Sequence, residues 1–426
     1  MTFDRYRRIF RQRSFTVFWV GFTLSDLGDG MTRVALIWYV YAATHSAQAV
    51  GWLLLCYTGP IVIGGFLAGV LLDRFERRQV MLADNLLRGS VMALIPLLAL
   101  SGQLALWHVY TAAAIYGLLM MISLAGSPAL IPTLVPEEDL PTANALEMLS
   151  FTIGNVVGPP LAGWLIAGIG APYVVTFDAI SYSLFALALF RIRPLGAQSS
   201  KPAETTTYRF ADAVRLLLGS RVLLATTLMF MAFNIGTGLL SVWLPILADQ
   251  SLGGGSGLYG TLLGAEAAGE VTSALLVGGI LFRLPLGALI CVAQCLSGLA
   301  LLLTLPLRSA WGVGVSLALF GLCSAPLTIW AQTLRMRIIP PDLRGRSFAL
   351  LRTIMQGGRP LGGAFGGLLL PLAGIPAMIA LSALVAGLPG LMGLQSGELR
   401  RADRSRQEHP AAPPHDTGLP GAGSQE

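Results

Sequence analysis

Charge is scarce in this chain. Only 12% of its 426 residues are Asp, Glu, Lys or Arg, against roughly 25% in a soluble domain. With 54% hydrophobic residues and a mean hydropathy of +0.69, a fold of this length has too little polar surface to face water. That excludes an ordinary soluble enzyme. Lysine is almost absent: Lys201 is the only one, so arginine carries the net charge of +6. The arginines sit in short clusters between apolar runs, which speaks against nucleic acid as a partner and fits the positive-inside pattern of membrane proteins. Histidine is rare, and only His45 and His108 fall near apolar runs, close to their outer ends. No Ser/His/Asp or Cys/His grouping lies near a membrane surface, so the chain is not expected to be an enzyme. No Walker loop is present, so ATP is not the expected fuel. Cys56, Cys291, Cys295 and Cys323 lie inside apolar stretches without zinc spacing, as small packing residues do. No metal and no cofactor is expected.

What the chain does have is long apolar runs. A bilayer core takes about 20 residues of helix. Runs of that order lie at 15–40, 48–72, 79–101, 105–128, 140–168, 172–190, 221–247, 257–281, 285–305, 309–333, 346–370 and 373–394. They do not alternate as barrel strands do, and helices satisfy their backbone groups internally. The predicted fold is an all-α membrane protein with twelve transmembrane helices in two six-helix pseudo-symmetric halves. A basic N-terminal arm covers 1–14, the first half 15–190, a linker 191–220 with a short amphipathic helix near its end, the second half 221–395, and a disordered tail 396–426 rich in Pro, Gly and charge. The apolar stretch after Arg5, Arg7, Arg8, Arg11 and Arg13 is too long for a cleavable signal and has no small-residue cleavage site. The arm, the Arg74–Arg78 loop, the linker, Arg283, the 334–346 loop and the tail fall on one side, and only Arg308 on the other. Both termini are therefore expected in the cytoplasm, with the protein multi-pass in the cell membrane as a monomer among lipid. The acidic Glu137, Glu138 and Asp139 are the exception on the basic side.

An ordered repeat supports two halves. Val135-Pro136-Glu137-Glu138-Asp139-Leu140 leads into Gly158-Pro159-Pro160-Leu161-Ala162-Gly163, and Ile339-Pro340-Pro341-Asp342-Leu343 leads into Gly358-Arg359-Pro360-Leu361-Gly362-Gly363. Repeated halves that rock about a central site are a transporter design.

A charge at the bilayer centre costs about 2.5–3.5 kcal/mol on insertion scales, so each embedded charge calls for a reason. Asp26, Asp29 and Arg33 share one helix face at i, i+3 and i+7. Asp29 and Arg33 can pair, which leaves Asp26 as the freer carboxylate; both acids are proton-coupling candidates, Asp26 the first, and a structural network is the alternative. Glu266 and Glu270 stand one turn apart among Ala and Gly. They read as a proton site, a grip on a cationic substrate, or acids bonded to a neighbouring helix. Asp84 and Arg88, at i and i+4, are expected to pair with each other and with the Arg74–Arg78 loop. Glu147 shares a face with Gly154 and Gly158. Asp178, Arg352 and Arg359 are embedded as well, and Arg359 is expected to pair with an acid, an anionic ligand being the alternative. Phe233, Asn234 and Trp243 are the aromatic and polar candidates for substrate contact.

Two motifs carry a resemblance. Gly69-x-x-x-Asp73-Arg74-x-x-Arg77-Arg78 follows the second run and resembles the loop signature of the major facilitator superfamily, which implies a conformational latch in which Gly69 lets another helix pack closely. Its counterpart, Gly278-Gly279-Ile280-Leu281-Phe282-Arg283, lacks the acid. Gly154-x-x-x-Gly158-Pro159-x-x-Ala162-Gly163 resembles the fifth-helix signature of proton-driven antiporters in that superfamily, although Ala145 stands where the pattern has a further Gly. Phe18-Trp19-Val20-Gly21, Ser25 to Gly30, Ala83 to Arg88, Ala143 to Leu146 and Pro341 to Arg346 extend the resemblance over nearly the whole chain. Together they are similar to the twelve-helix drug:proton antiporter group of macrolide-efflux proteins and the enterobactin exporter. The resemblance implies export of a small amphipathic molecule, a drug or a siderophore, with protons as driving partner. A proton symporter importing a metabolite, or a non-transporting receptor or assembly protein on the same scaffold, are the alternatives.

Overall fold

The computed structural model describes residues 2–192, 210–279, 284–340 and 343–402. Among these residues the chain is helical and has no strand. The first part comprises α1 (Thr2–Phe10), α2 (Arg13–Thr44), α3 (Ala47–Thr58), α4 (Ile61–Arg74), α5 (Arg77–Leu100), α6 (Leu106–Leu130), α7 (Leu140–Ile169) and α8 (Ala171–Arg191). The second comprises α9 (Phe210–Gly219), α10 (Arg221–Ile246), α11 (Gly255–Gly279), α12 (Leu286–Leu302), α13 (Ala310–Ile338), α14 (Arg344–Gln356), α15 (Gly358–Gln395) and α16 (Gly397–Arg400).

Among the described residues, eight helical stretches are long and apolar enough to cross a membrane. The sequence reading of twelve crossings also counts α2 and α11, whose embedded acids lower their apolarity, the 17-residue α12, and both arms of α15. That helix bends at Gly374, whose φ of 76° suits a residue without Cβ. The run expected at 48–72 is broken between α3 and α4 at Gly59-Pro60, where proline supplies no backbone donor. The run expected at 346–370 is likewise shared between α14 and α15. Serines cap several helices: Ser46, Ser220 and Ser309 accept the amides of Ala49, Leu223 and Gly312 at 3.3, 3.3 and 3.1 Å.

Each half repeats one packing scheme. α2 packs on α7 and α8, and α5 on α8; in the second half α10 packs on α15 and α12 on α15. The turn from α7 to α8 uses Gly170 at φ 90° with Pro172 two residues on, and the bend in α15 uses Gly374 with Pro376 two residues on. The halves meet through α7 against α11 and α3 against α15.

Two expectations about the chain ends change. The start of the tail is ordered: Leu399 in α16 is buried, and a Cβ on Gly287 of α12 would lie 1.8 Å from its carbonyl oxygen. The remainder, 403–426, lies outside the described residues, as does 193–209 of the linker. The acidic turn at 137–139 is also explained. Arg8 of α1 reaches Asp139 at 2.6 Å and Glu138 at 3.1 Å, and Gln12 donates to Asp139 at 3.3 Å. The Asp139 carboxylate lifts the Arg8 guanidinium further above its ordinary range. The misplaced acids are thus partners of the basic arm.

Candidate functional site: a charged cavity between the halves

The hydrogen bonds and ring contacts between the halves gather at the end remote from α1. The Tyr41 hydroxyl donates to Asp249 at 2.8 Å, and the Trp164 indole donates to Thr261 at 3.1 Å. Trp38 stacks on Tyr259 with centroids 5.9 Å apart. Glycine lets the backbones touch there: a Cβ on Gly163 would lie 2.3 Å from the Gly260 Cα, and one on Gly51 would lie 2.7 Å from the Gly363 carbonyl. Below these contacts the halves part around a cavity of about 550 Å³.

The cavity wall from the first half carries Asp26, Asp29 and Arg33 of α2, Arg88 of α5, and Tyr57, Tyr116, Ser123 and Asn155. The wall from the second half carries Arg352, Thr353, Gln356 and Arg359. Phe22, Phe66 and Phe151 add aromatic surface. A concave, partly apolar space of this size with a few convergent polar groups is suited to a small-molecule ligand.

Asp29 does not pair with Arg33. It accepts a hydrogen bond from Tyr182 of α8 and lies 3.9 Å from Arg88. Arg33, one turn on, reaches Asn155 instead at 3.4 Å. The reason is a neighbouring network that offers Asp29 a phenol donor and a guanidinium charge at once. Arg88 donates to both oxygens of Asp84 at 3.1 and 2.5 Å, to Tyr182 at 3.0 Å, and to Ser123, which itself donates to Asp84 at 2.9 Å. The Arg88 guanidinium also stands 4.6 Å from the Tyr182 ring centroid. The Asp84–Arg88 pair therefore forms, but it is tied to α6 and α8 rather than to the 74–78 loop. Asp26 is different. Its Oδ2 is buried without a hydrogen-bond partner.

The α7 motif explains how Asp26 is held. A Cβ on Gly154 would lie 2.3 Å from the Asp26 carbonyl oxygen, and one on Gly30 would lie 2.1 Å from the Gly154 carbonyl. Gly158 approaches the Gly30 Cα to 3.0 Å in the same sense. α2 and α7 thus cross backbone to backbone at the cavity acid, and Gly163, beyond Pro159, meets the opposite half. One motif serves both an internal crossing and the contact between halves. Gly163→Val is expected to part α7 from α11 and shift the protein away from this conformation. Labelling of Ser256→Cys with a membrane-impermeant maleimide, on a background without the native cysteines, should rise several-fold; unchanged labelling would contradict this.

The 74–78 loop bonds to helix ends. Arg77 donates to the Ala129 carbonyl of α6 at 2.7 Å, and Arg78 donates to Leu189 and Phe190 of α8 at 2.6 and 2.7 Å. Guanidiniums there complement the negative ends of the helices. Arg74 is exposed, and the side chain of Asp73 lies outside the described residues, as does the 280–283 part of the counterpart loop. Gly69 departs from the expectation: a Cβ there meets nothing within 4 Å. No helix packs on it in this conformation, because the α4–α6 crossing is made at Gly64, 2.1 Å from the Leu118 carbonyl by the same measure. Gly69→Ala should therefore leave stability within about 0.5 kcal/mol of wild type, as unfolding midpoints in detergent would check.

Glu266 and Glu270 do not line the cavity. α11 packs so closely on α13 that a Cβ on Gly321 would lie 2.0 Å from the Glu266 carbonyl. Ser324 donates to Glu270 at 3.4 Å, and the charges of Arg359 and Arg33 act on both acids. Glu147 is half-buried on α7 and outside the cavity lining. Phe233 stacks on Phe320 at 5.6 Å, Asn234 donates to its own helix at Phe230, and the buried Trp243 donates to Ser382 at 2.9 Å. These three side chains pack the second half and do not line the cavity. Sequence reasoning missed Tyr182, Tyr116, Ser123 and Asn155. Their signal was periodic: Asp178 and Tyr182 share a face of α8, and Tyr116 and Ser123 share one of α6.

A family model described as "transmembrane secretion effector" matches residues 8–416. An MFS-type transporter of Sinorhizobium fredii is 27% identical over 376 residues, covering 84% of this chain and 91% of its own. The enterobactin exporter of Salmonella typhimurium is 28% identical over 383 residues, covering 89% and 91%. A multidrug efflux pump of Mycolicibacterium fortuitum is 26% identical over 399 residues, covering 88% and 94%. Among solved structures, a nucleoside transporter superposes with a TM-score of 0.69 at 14% identity, covering 90% of this chain and 98% of that one. A POT-family transporter gives 0.70 at 14% identity, covering 90% and 96%.

Proposed function

Because the chain belongs to the transmembrane secretion effector family of the major facilitator superfamily, we propose that it is a proton-coupled secondary transporter that exports a small amphipathic molecule by alternating access. The observation that carries proton coupling is the buried, unpartnered Oδ2 of Asp26 on the cavity wall. Among the described residues, the other first-half acids around it have partners: Asp29 accepts from Tyr182 and pairs with Arg88 at 3.9 Å, Asp84 accepts from Arg88 and Ser123, and Asp178 accepts from Thr32 at 2.6 Å. A desolvated carboxylate without donors takes a proton when the cavity offers one. Asp26 is the carrier in this reading, and Glu266 and Glu270 form a second site that feels Arg359 and Arg33.

Alternating access is supported by where the halves touch. Contacts at Gly163–Gly260 and Gly51–Gly363 close one end, and the cavity lies on the side of the basic loops. With both termini in the cytoplasm, this conformation faces inward, ready to load an exported molecule. The export direction is supported by the α7 motif and by the two relatives named as an exporter and an efflux pump. The 74–78 loop acts as the latch of the first half through Arg77 and Arg78, and the protein works as a monomer in lipid.

The test is uptake into everted membrane vesicles of a dye, macrolide and siderophore panel, with and without an uncoupler. Uncoupler-sensitive accumulation of at least one compound is expected. Accumulation that ignores the uncoupler would defeat proton coupling, and accumulation only in right-side-out vesicles would reverse the direction.

A further inference from the structure

The charges of the cavity are not evenly shared. Both of its acids, Asp26 and Asp29, belong to α2, in the first half. The wall contributed by the second half carries two charged side chains, Arg352 and Arg359, with Gln356 between them in sequence. Both arginines are open to the cavity space. Among the described residues, neither has an acid within 4 Å, and neither makes a hydrogen bond. The acid partner expected for Arg359 is absent at contact distance: Glu266 and Glu270 act on it only through space. In the first half the balance differs. Arg88 is consumed by Asp84, Tyr182 and Ser123, and Arg33 spends one donor on Asn155.

Two uncompensated guanidiniums inside a membrane domain are costly unless something neutralises them. They stand at i and i+7, two helical turns apart, on one face of the α14–α15 segment. Guanidinium forks bind oxyanions with paired hydrogen bonds. Opposite them, Tyr57, Tyr116, Phe66 and Phe151 supply aromatic surface for an organic body.

We infer that the transported molecule is an amphipathic organic anion, whose oxyanion group docks on Arg352 and Arg359 and whose aromatic or aliphatic body lies against the first-half wall. The inference rests on the export reading, and names its substrate class. It is consistent with that direction, since an anion leaving a negatively charged interior moves with the membrane potential.

The test compares two dyes that share a three-ring frame but differ in charge: fluorescein, an anion, and rhodamine ethyl ester, a cation. Binding is read by fluorescence anisotropy on the full-length protein in nanodiscs without any gradient. Wild type should bind fluorescein more tightly than the ester. Arg352→Gln and Arg359→Gln should each weaken fluorescein about 10-fold or more, the loss expected for one charge-assisted contact. Arg359→Lys should recover part of that loss, and neither Gln variant should weaken the ester. If Arg359→Gln does not fold, Arg352→Gln, whose side chain is exposed on the wall, decides the matter. Tighter binding of the cationic ester, no binding of either dye, or equal loss of both dyes in the Gln variants would overturn the inference. Uncoupler-sensitive transport of the ester without fluorescein binding would sink this inference and leave the export reading standing. Fluorescein binding without transport of any compound would do the reverse.

Discussion

Arg88→Met is expected to destabilise the protein by about 3–5 kcal/mol, the cost of leaving buried charges without their partner. Arg88 is only 1% exposed, and its side chain satisfies both oxygens of Asp84, the Tyr182 hydroxyl and Ser123. Methionine fills the space of the stem but strands Asp84, whose side chain is fully buried, and removes the only cation within 4 Å of Asp29 among the described residues. Lysine should recover only part of the loss, because a point charge cannot serve two carboxylates and a phenol in one plane. Asp84→Asn should cost less than Arg88→Met, since Arg88 keeps Tyr182 and Asp29. Unfolding midpoints in detergent would check the order. A midpoint for Arg88→Met equal to wild type would mean that the network is not structural.

Asp26→Asn is expected to remove proton-driven accumulation while leaving downhill exchange of substrate. One charge moved through 100 mV is worth about 2.3 kcal/mol, which corresponds to a concentration ratio of about 50. A variant that exchanges one proton fewer per cycle should lose about that factor in accumulation. Binding should survive, because Asn is of similar size and the α2–α7 crossing at Gly30 and Gly154 involves the Asp26 backbone rather than its carboxylate. Glu266→Gln separates the two acid sites: a full loss there with normal Asp26→Asn would move the coupling to α11.

Much of this protein is legible in its residues, and the failures have physical causes. Apolar runs and arginine placement give the helices and the two halves, because a bilayer forces backbone bonds inside each segment. The Gly-x-Pro pair at Gly170 and Gly374 was present in the sequence as a second internal repeat, but only the positive φ at each glycine reveals it as a turn. The α7 glycines were legible as packing residues, yet the sequence does not say that Gly154 meets α2 while Gly163 meets α11. Spacing along one helix also left the partners of Asp29 unread. It identified Arg33 as a neighbour one turn away, but the decisive partners, the Tyr182 donor and the Arg88 charge, come from α8 and α5. The same limit applies to Gly69, read as a packing glycine from its motif and found with open space around it. Phe233, Asn234 and Trp243 have the chemistry of substrate contacts, but helix rotation turns them into the packed interior of the second half. Arg352 and Arg359 were visible as embedded charges; what the fold adds is that no acid stands within reach of them.

In the proposed cycle, substrate leaves against an inward flow of protons through the cavity that holds Asp26. The direct measurement is proton flux in proteoliposomes of the purified protein carrying a pH-sensitive dye in the lumen, with substrate added on the side that the cavity faces. Substrate entry is expected to release protons from the lumen in wild type, and Asp26→Asn to move substrate down its gradient without moving protons. Substrate movement in wild type with no change in luminal pH, or unchanged proton release in Asp26→Asn, would contradict it.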